Sequence, residues 1–253
     1  AVHLPGVLGP EPLARVSAET DHILEVETDL PGQDDYFKRL GYWRGNEIFR
    51  AVFTTSPVPE IAARLLRATR LNLLYDQLFI KEAGSRIPTP WHNDLPYWPL
   101  TGTQVLTIWL AFDATVEANG ALEFLRASHL WGRRYRPFYS TDDGEVSHFF
   151  RAETNDDFDD LPDFAAARGE HEIVTWELAP GDAVAFHALT VHGAPGNSRP
   201  DMPRRAYAVR FAGEEVRYRA GPVWNLDLVN EELGDGDALD SALFPVVYGG
   251  SGA

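Results

Sequence analysis

The chain of 253 residues contains no cysteine. Disulfides, iron–sulfur clusters and thiolate nucleophiles are therefore excluded, and any metal must be held by nitrogen and oxygen donors, a set that suits Fe(II), Mn(II) or Zn(II). Basic residues are also scarce: 22 Lys and Arg stand against 38 Asp and Glu, for a net charge of −16. That imbalance repels a phosphate backbone and an anionic bilayer alike, which argues against nucleic acid and membrane as partners and leaves a small molecule. Long apolar runs are absent too, the uncharged stretches being short and broken by Pro or Asp. With no basic-then-apolar leader, neither membrane spanning nor secretion is expected, and the cytoplasm is the default location. Residue 1 is Ala rather than Met, so a removed leader is compatible with the chain. Oligomeric state is left open.

At 44% hydrophobic, the chain has enough apolar material for a substantial core, and one domain over 1–253 is expected. Residues 1–70 read mainly helical, with apolar residues at helical spacing over 11–24 and 58–69, the second preceded by the start signal Ser56-Pro57. From residue 71 the texture changes to β-like runs over 71–80, 104–112, 121–125, 171–178, 182–186 and 205–211, separated by Gly, Pro and Asn. Helices gathered at one end and a β core over about 71–220 imply a mainly β fold: a double-stranded β-helix, the jelly-roll or cupin-like architecture, flanked by N-terminal α-helices. The aromatic and acidic stretch at about 131–170 lacks strong periodicity and reads as an inserted loop with the character of a lid. The acid-rich runs 153–163 and 231–240 read as solvated loops without chemistry.

Chemistry enters at Trp91-His92-Asn93-Asp94. In an extended segment side chains alternate, so His92 and Asp94 point the same way and can grip one ion. A third ligand is needed, and His192 follows the strand-like run 182–186 at a point where a barrel would return it beside the first pair. Two imidazoles and one carboxylate on one face of an octahedron leave three positions open, the facial triad of non-haem iron oxygenases. His187, five residues earlier and on the opposite face of a regular strand, reads as a structural histidine, and His3, His22, His129, His148 and His171 as ordinary surface or loop residues. Arg204 opens the alternation 206–209, where a planar guanidinium could clamp a carboxylate, while its neighbour Arg205 would point the other way.

Several ordered motifs, namely 76–82, Thr89-Pro90-Trp91-His92-Asn93-Asp94-Leu95-Pro96-Tyr97-Trp98, 109–113, Asn119-Gly120-Ala121-Leu122, Ser128-His129, Gly181-Asp182 and His192-Gly193 through Asn197 to Arg204, together resemble the phytanoyl-CoA dioxygenase family over about 71–212. The resemblance implies an oxygenase that uses Fe(II), 2-oxoglutarate and O₂. It implies that His92, Asp94 and His192 bind iron and that Arg204 pairs with the C5 carboxylate of 2-oxoglutarate. It also implies that Gln77 lies against that cosubstrate and that Trp109 and Thr107 share the strand face lining it. Ala194 stands where some family members have Ser as a second partner of the C5 carboxylate, so Thr107 is the expected substitute donor. Some relatives replace the carboxylate ligand with a small residue to bind chloride, and Asp94 disfavours that outcome. Asn119-Gly120 and Asp113 read as turn chemistry.

The expected reaction is oxidation of a C–H bond of a small molecule, a biosynthetic intermediate in natural-product metabolism, by hydroxylation, epimerisation, cyclisation or desaturation. Tyr97, Trp98, Phe138, Tyr139 and Trp224 are the candidate aromatic lining of its pocket. No basic cluster for a CoA phosphate accompanies them. A cupin-like Zn(II) hydrolase or isomerase and a non-catalytic jelly-roll binding protein are the alternatives; the first would not need Arg204 or 2-oxoglutarate, and the second would tolerate loss of the metal ligands.

Overall fold

The computed structural model describes residues 1–26, 36–140, 146–148, 158–221 and 226–250. Its elements run β1 (Val2–Leu4), α1 (Pro10–Val26), β2 (Tyr36–Leu40), α2 (Glu47–Thr54), α3 (Val58–Leu66), β3 (Leu71–Lys81), β4 (Thr89–His92), β5 (Leu100–Thr101), β6 (Val105–Ala111), β7 (Glu123–Leu125), β8 (Phe138–Ser140), β9 (Val146–His148), β10 (Ile173–Thr175), β11 (Ala183–His187), β12 (His192–Ala194), β13 (Arg204–Gly213), β14 (Arg217–Tyr218) and β15 (Val246–Tyr248). Among the described residues, a larger sheet is ordered β1-β11-β6-β13-β3-β15 with β2 also on β3, and a smaller one β10-β7-β12-β4. Phe124 of the smaller sheet packs with Trp109, Val184, Phe186, Ala206 and Ala208 of the larger one, so the two face each other as the expected jelly roll.

The three helices cover the outer face of the larger sheet. Val16, Thr20 and Ile23 of α1, at i, i+4 and i+7, are buried there, as are Phe49, Val52 and Phe53 of α2. Leu78 and Ile80 of β3, Ile108 and Leu110 of β6 and Tyr207 and Val209 of β13 meet them from the sheet. Phe49 lies 4.8 Å from the Tyr207 ring, and side chains buried to this degree each stabilise the fold by about 1.5–3 kcal/mol. The buried Asp76 carboxylate accepts the Tyr207 hydroxyl and the backbone N–H groups of Gly41 and Trp43, which ties the segment after β2 to the sheet.

Since the outer face takes these residues, strand alternation delivers the others to the inner face. The register aligns Tyr75, Arg210, Thr107 and Phe186 in one row across β3, β13, β6 and β11. Gln77, Ala208, Trp109 and Val184 form the next, and Lys81 and Arg204 pair at the far end of β3 and β13. The pairing skips Leu74, a bulge opposite Arg210 and Phe211 that returns Leu73 to the helical side beside Phe211.

Against expectation, the first 70 residues also carry β1 and β2, and α2 is a further helix; both strands join a sheet built by later chain. The run expected at 171–178 reduces to Ile173–Thr175 plus a bridge from Leu178 to Thr115. Of the segment 131–170, the backbone of β8 and β9 forms a hairpin and Tyr135, Phe158 and Phe164 are buried; the rest of the lid expectation falls on 141–145 and 149–157, outside the described residues. No helix among the described residues is long and apolar enough to cross a membrane.

Candidate metal centre and cosubstrate pocket

β12 pairs antiparallel with β4 so that His192 sits directly opposite His92, with ring centroids 4.3 Å apart. Each ring is fixed by its own strand: Nδ1 of His92 lies 2.8 Å from the Pro90 carbonyl, and Nδ1 of His192 lies 3.0 Å from the Thr190 carbonyl. A carbonyl only accepts, so both Nδ1 atoms carry the proton and both Nε2 atoms present a lone pair toward the same point. Asp94 Oδ1 lies 3.4 Å from His92 Nε2 and 3.8 Å from His192 Nε2. One ligand atom from each of the three lies within 4.8 Å of the others, the one cluster of its kind among the described residues.

Asp94 reaches this point by a route other than the extended one expected. β4 ends at His92, and Asp94 has helical dihedrals (φ −76°, ψ −38°) at the start of a turn over Leu95–Tyr97. Its N–H is held by the Ala188 carbonyl at 2.9 Å, in the loop that leads into β12. Asn93 points away between the two ligands, donating to the Arg133 carbonyl and accepting from Tyr135 N–H. The carboxylate and the second histidine are thus anchored to one piece of backbone.

The surroundings set the protonation states. Burial pushes the His192 pKa down to about 4, so its imidazole is neutral near neutral pH. Burial works against charge on Asp94, but the imidazoles of His192 and His92 and the Arg210 guanidinium hold its carboxyl below the usual carboxylate range. Phe186 and Phe124 stack near His192 at 4.6 and 6.0 Å and wall the site against water. Two imidazoles with their Nδ1 atoms committed to carbonyls and one carboxylate are a donor set that fits Fe(II) and leaves part of the coordination sphere to other ligands.

Arg204, 1% exposed, enters from β13 with its guanidinium 5.2 Å from the Trp109 ring centroid. Its inward phase is locked by its neighbour: Arg205 points outward, where its N–H and guanidinium bind the Asp113 carboxylate and its Nη1 also meets Asp21. Asp113, expected only to shape a turn, thus fixes which arginine faces the pocket. Trp109 and Gln77 flank Ala208 on the same inner face, and Thr107 lies two positions from Trp109, as the sequence implied.

Other expectations meet a different placement. The Thr107 hydroxyl is given to Asp94 Oδ2 at 3.2 Å, because Thr107 stands in the metal row rather than beside Arg204. Tyr97 is edge-on to His92 at 5.9 Å, but Trp98, 1% exposed, turns into the core and donates its indole N–H to the Tyr75 hydroxyl at 2.9 Å. The turn at Leu95–Tyr97 sends these neighbours in different directions. The side chains of Phe138 and Tyr139, and Trp224 entirely, lie outside the described residues. His187 accepts from Leu189 N–H and faces His129 at 5.6 Å, apart from the triad. Arg210, 5% exposed, is the site residue the sequence reading missed; its even separation from Arg204 along one strand was the available signal.

Known proteins resemble this chain in sequence and in fold. Residues 1–206 match the family model described as phytanoyl-CoA dioxygenase (PhyH). The peroxisomal phytanoyl-CoA dioxygenase of Homo sapiens is 25% identical over 175 residues, covering 67% of this chain and 48% of that protein. A probable alpha-ketoglutarate-dependent hypophosphite dioxygenase of Stutzerimonas stutzeri is 28% identical over 132 residues, 52% of this chain and 42% of that protein. The matches thus span about half or less of the length of these two relatives. Among solved structures, the non-heme alpha ketoglutarate dependent carbocyclase SnoK from nogalamycin biosynthesis superposes with a TM-score of 0.74 at 26% identity, over 97% of this chain and 91% of that one. The epimerase SnoN, in complex with Fe3+, alpha ketoglutarate and nogalamycin RO, gives 0.72 at 25% identity, over 97% and 93%. With a family model matched over most of its length and the fold shared end to end with such structures, the chain belongs to the phytanoyl-CoA dioxygenase (PhyH) family.

Proposed function

We propose that this protein is an Fe(II)- and 2-oxoglutarate-dependent oxygenase that oxidises a C–H bond of a small organic molecule. His92, Asp94 and His192 hold the metal and Arg204 binds the C5 carboxylate of the cosubstrate. The observation that carries this reading is the triad itself: two imidazoles whose Nδ1 protons are committed to carbonyls, with one carboxylate oxygen, converging below 4.8 Å. A buried arginine on the same inner face adds what a zinc hydrolase or a silent jelly-roll binder would not need.

The bound metal, with 2-oxoglutarate and O₂, supplies the oxidising power. The chain does the rest. Thr107 orients Asp94, Arg204 over Trp109 sets the direction of the cosubstrate, and the Phe186 and Phe124 rings limit water around the reacting centre. The carbocyclase and epimerase among the similar structures favour an intermediate of natural-product biosynthesis as substrate, with hydroxylation, ring closure, epimerisation and desaturation all within reach of one such centre.

The test is anaerobic addition of Fe(II) and 2-oxoglutarate to the purified protein, followed by visible absorption. A weak charge-transfer band of the chelate is expected in the wild type and is expected to vanish in Arg204→Ala at the same cosubstrate concentration. An iron-loaded wild type with no band would remove the reading and leave the hydrolase alternative.

A further inference from the structure

Arg210 projects from β13 into the same interior, six positions beyond Arg204 and therefore about 20 Å further along the strand. The two guanidinium groups rest on different rings, Arg204 over Trp109 and Arg210 over Tyr75 and Phe79. Arg210 belongs to the metal row: it is paired with Thr107 on β6, the residue that holds Asp94, and with Tyr75 on β3. Its guanidinium lies 4.4 Å from the Tyr75 ring centroid and 5.8 Å from that of Phe79, and both Asp94 and His192 feel its charge.

The side chain is 5% exposed, and its Nε and Nη1 are buried with no hydrogen-bond partner among the described residues. No ion pair engages it there either; stacking on aromatic faces holds the guanidinium in place while its donors stay unused. A buried cation with unsatisfied donors is costly unless something compensates it. The iron and cosubstrate do not. Fe(II) with Asp94 leaves a single positive charge, and with Arg204 this balances the two carboxylates of 2-oxoglutarate. The buried Lys81, whose Nζ donates to the Pro195 carbonyl at 2.7 Å, adds positive charge rather than offsetting it.

Building on the oxygenase reading, we infer that Arg210 is the anchor for an anionic oxygen of the primary substrate, a carboxylate or an ionised enol or phenol, and that the pocket selects acids over neutral molecules of the same shape. Its position in the row of Thr107, the residue bonded to Asp94, places the bound anion beside the reacting centre.

Matched acid and amide probes test this: benzoate against benzamide, and 2-naphthoate against 2-naphthamide, titrated calorimetrically into the full chain without oxygen. The titrations are run with saturating Mn(II) and 2-oxoglutarate, which fill the Arg204 subsite, and again without either. The acids are expected to bind at least tenfold more tightly than the amides, the preference to disappear in Arg210→Met and to persist in weakened form in Arg210→Lys. Thermal melts of both variants establish that they fold. Equal binding of acid and amide, no binding of either acid, or a preference untouched by Arg210→Met would each overturn the inference, the last marking Arg210 as purely structural. A preference abolished by Arg204→Met and kept in Arg210→Met would also overturn it, by putting the anion in the cosubstrate subsite. Failure of the oxygenase reading is read separately, from the absence of the Fe(II) charge-transfer band in the wild type.

Discussion

Asp94 divides its two oxygens between two tasks. Oδ1 faces both imidazoles, at 3.4 and 3.8 Å from their Nε2 atoms, while Oδ2 accepts the Thr107 hydroxyl at 3.2 Å. This arrangement favours a carboxylate that ligates through one oxygen and is steered through the other. Replacing Thr107 with Val preserves shape in a fully buried position but removes the only hydroxyl at Oδ2 among the described residues. Mn(II) affinity, read by titration, is expected to fall about 10–100-fold, the usual effect of losing such a partner; unchanged affinity would show that the hydrogen bond does not orient the ligand. At this scale the sequence was informative where residue chemistry and spacing select candidates, as for His92, Asp94 and His192, which the structure brings together. It was less so where direction depends on tertiary register: nothing local distinguishes Tyr97, against His92, from Trp98, in the core, or announces that Thr107 bonds to Asp94.

The long strands of the larger sheet were legible because β6 and β13 are apolar runs bounded by turn residues. The strands that bear His92 and His192 were not. β4 contains Pro90 and β12 contains Gly193, both poor strand formers; β4 is paired through β12, and β12 is held between β4 and β7. Gly193 is required by that closeness, since a Cβ there would come within 2.9 Å of the Thr89 carbonyl oxygen. The loop after β12 is held as tightly. Asn197 donates to the carbonyls of Glu82 and Met202, and a Cβ on Gly196 would meet the Arg86 backbone, with its oxygen at 2.6 Å and Cα at 2.8 Å. Backbone cannot swing aside as a side-chain end can, so Gly196→Ala is expected to cost about 1–3 kcal/mol of stability, measured by denaturant unfolding. A loss below a few tenths of a kcal/mol would mean that the loop relaxes freely and does not brace His192.

At the scale of the whole molecule, the triad draws His92 and Asp94 from one side of the smaller sheet's pairing and His192 from the other, with the helix-backed sheet beneath them. An ion gripped by all three joins segments about 100 residues apart in sequence, so its binding energy is available only to the folded state. By mass action, metal at 100 times its dissociation constant stabilises the fold by about 2.7 kcal/mol. For a chain of this length that corresponds to a rise in melting temperature of about 5–10 °C. The excess of acid, 38 residues against 22 basic ones, gives divalent ions many weak surface sites, so a rise in the wild type alone would not locate the effect. Asp94→Ala provides the separation, because it removes one carboxylate of the 38 and keeps the rest of the surface. Under anaerobic Fe(II) or Mn(II), the wild type is expected to gain the full shift and Asp94→Ala no more than the small part due to surface binding, with chelator reversing both. Equal shifts in the two proteins would place the stabilising ion on the acidic surface and take the structural support away from a metal centre at His92, Asp94 and His192.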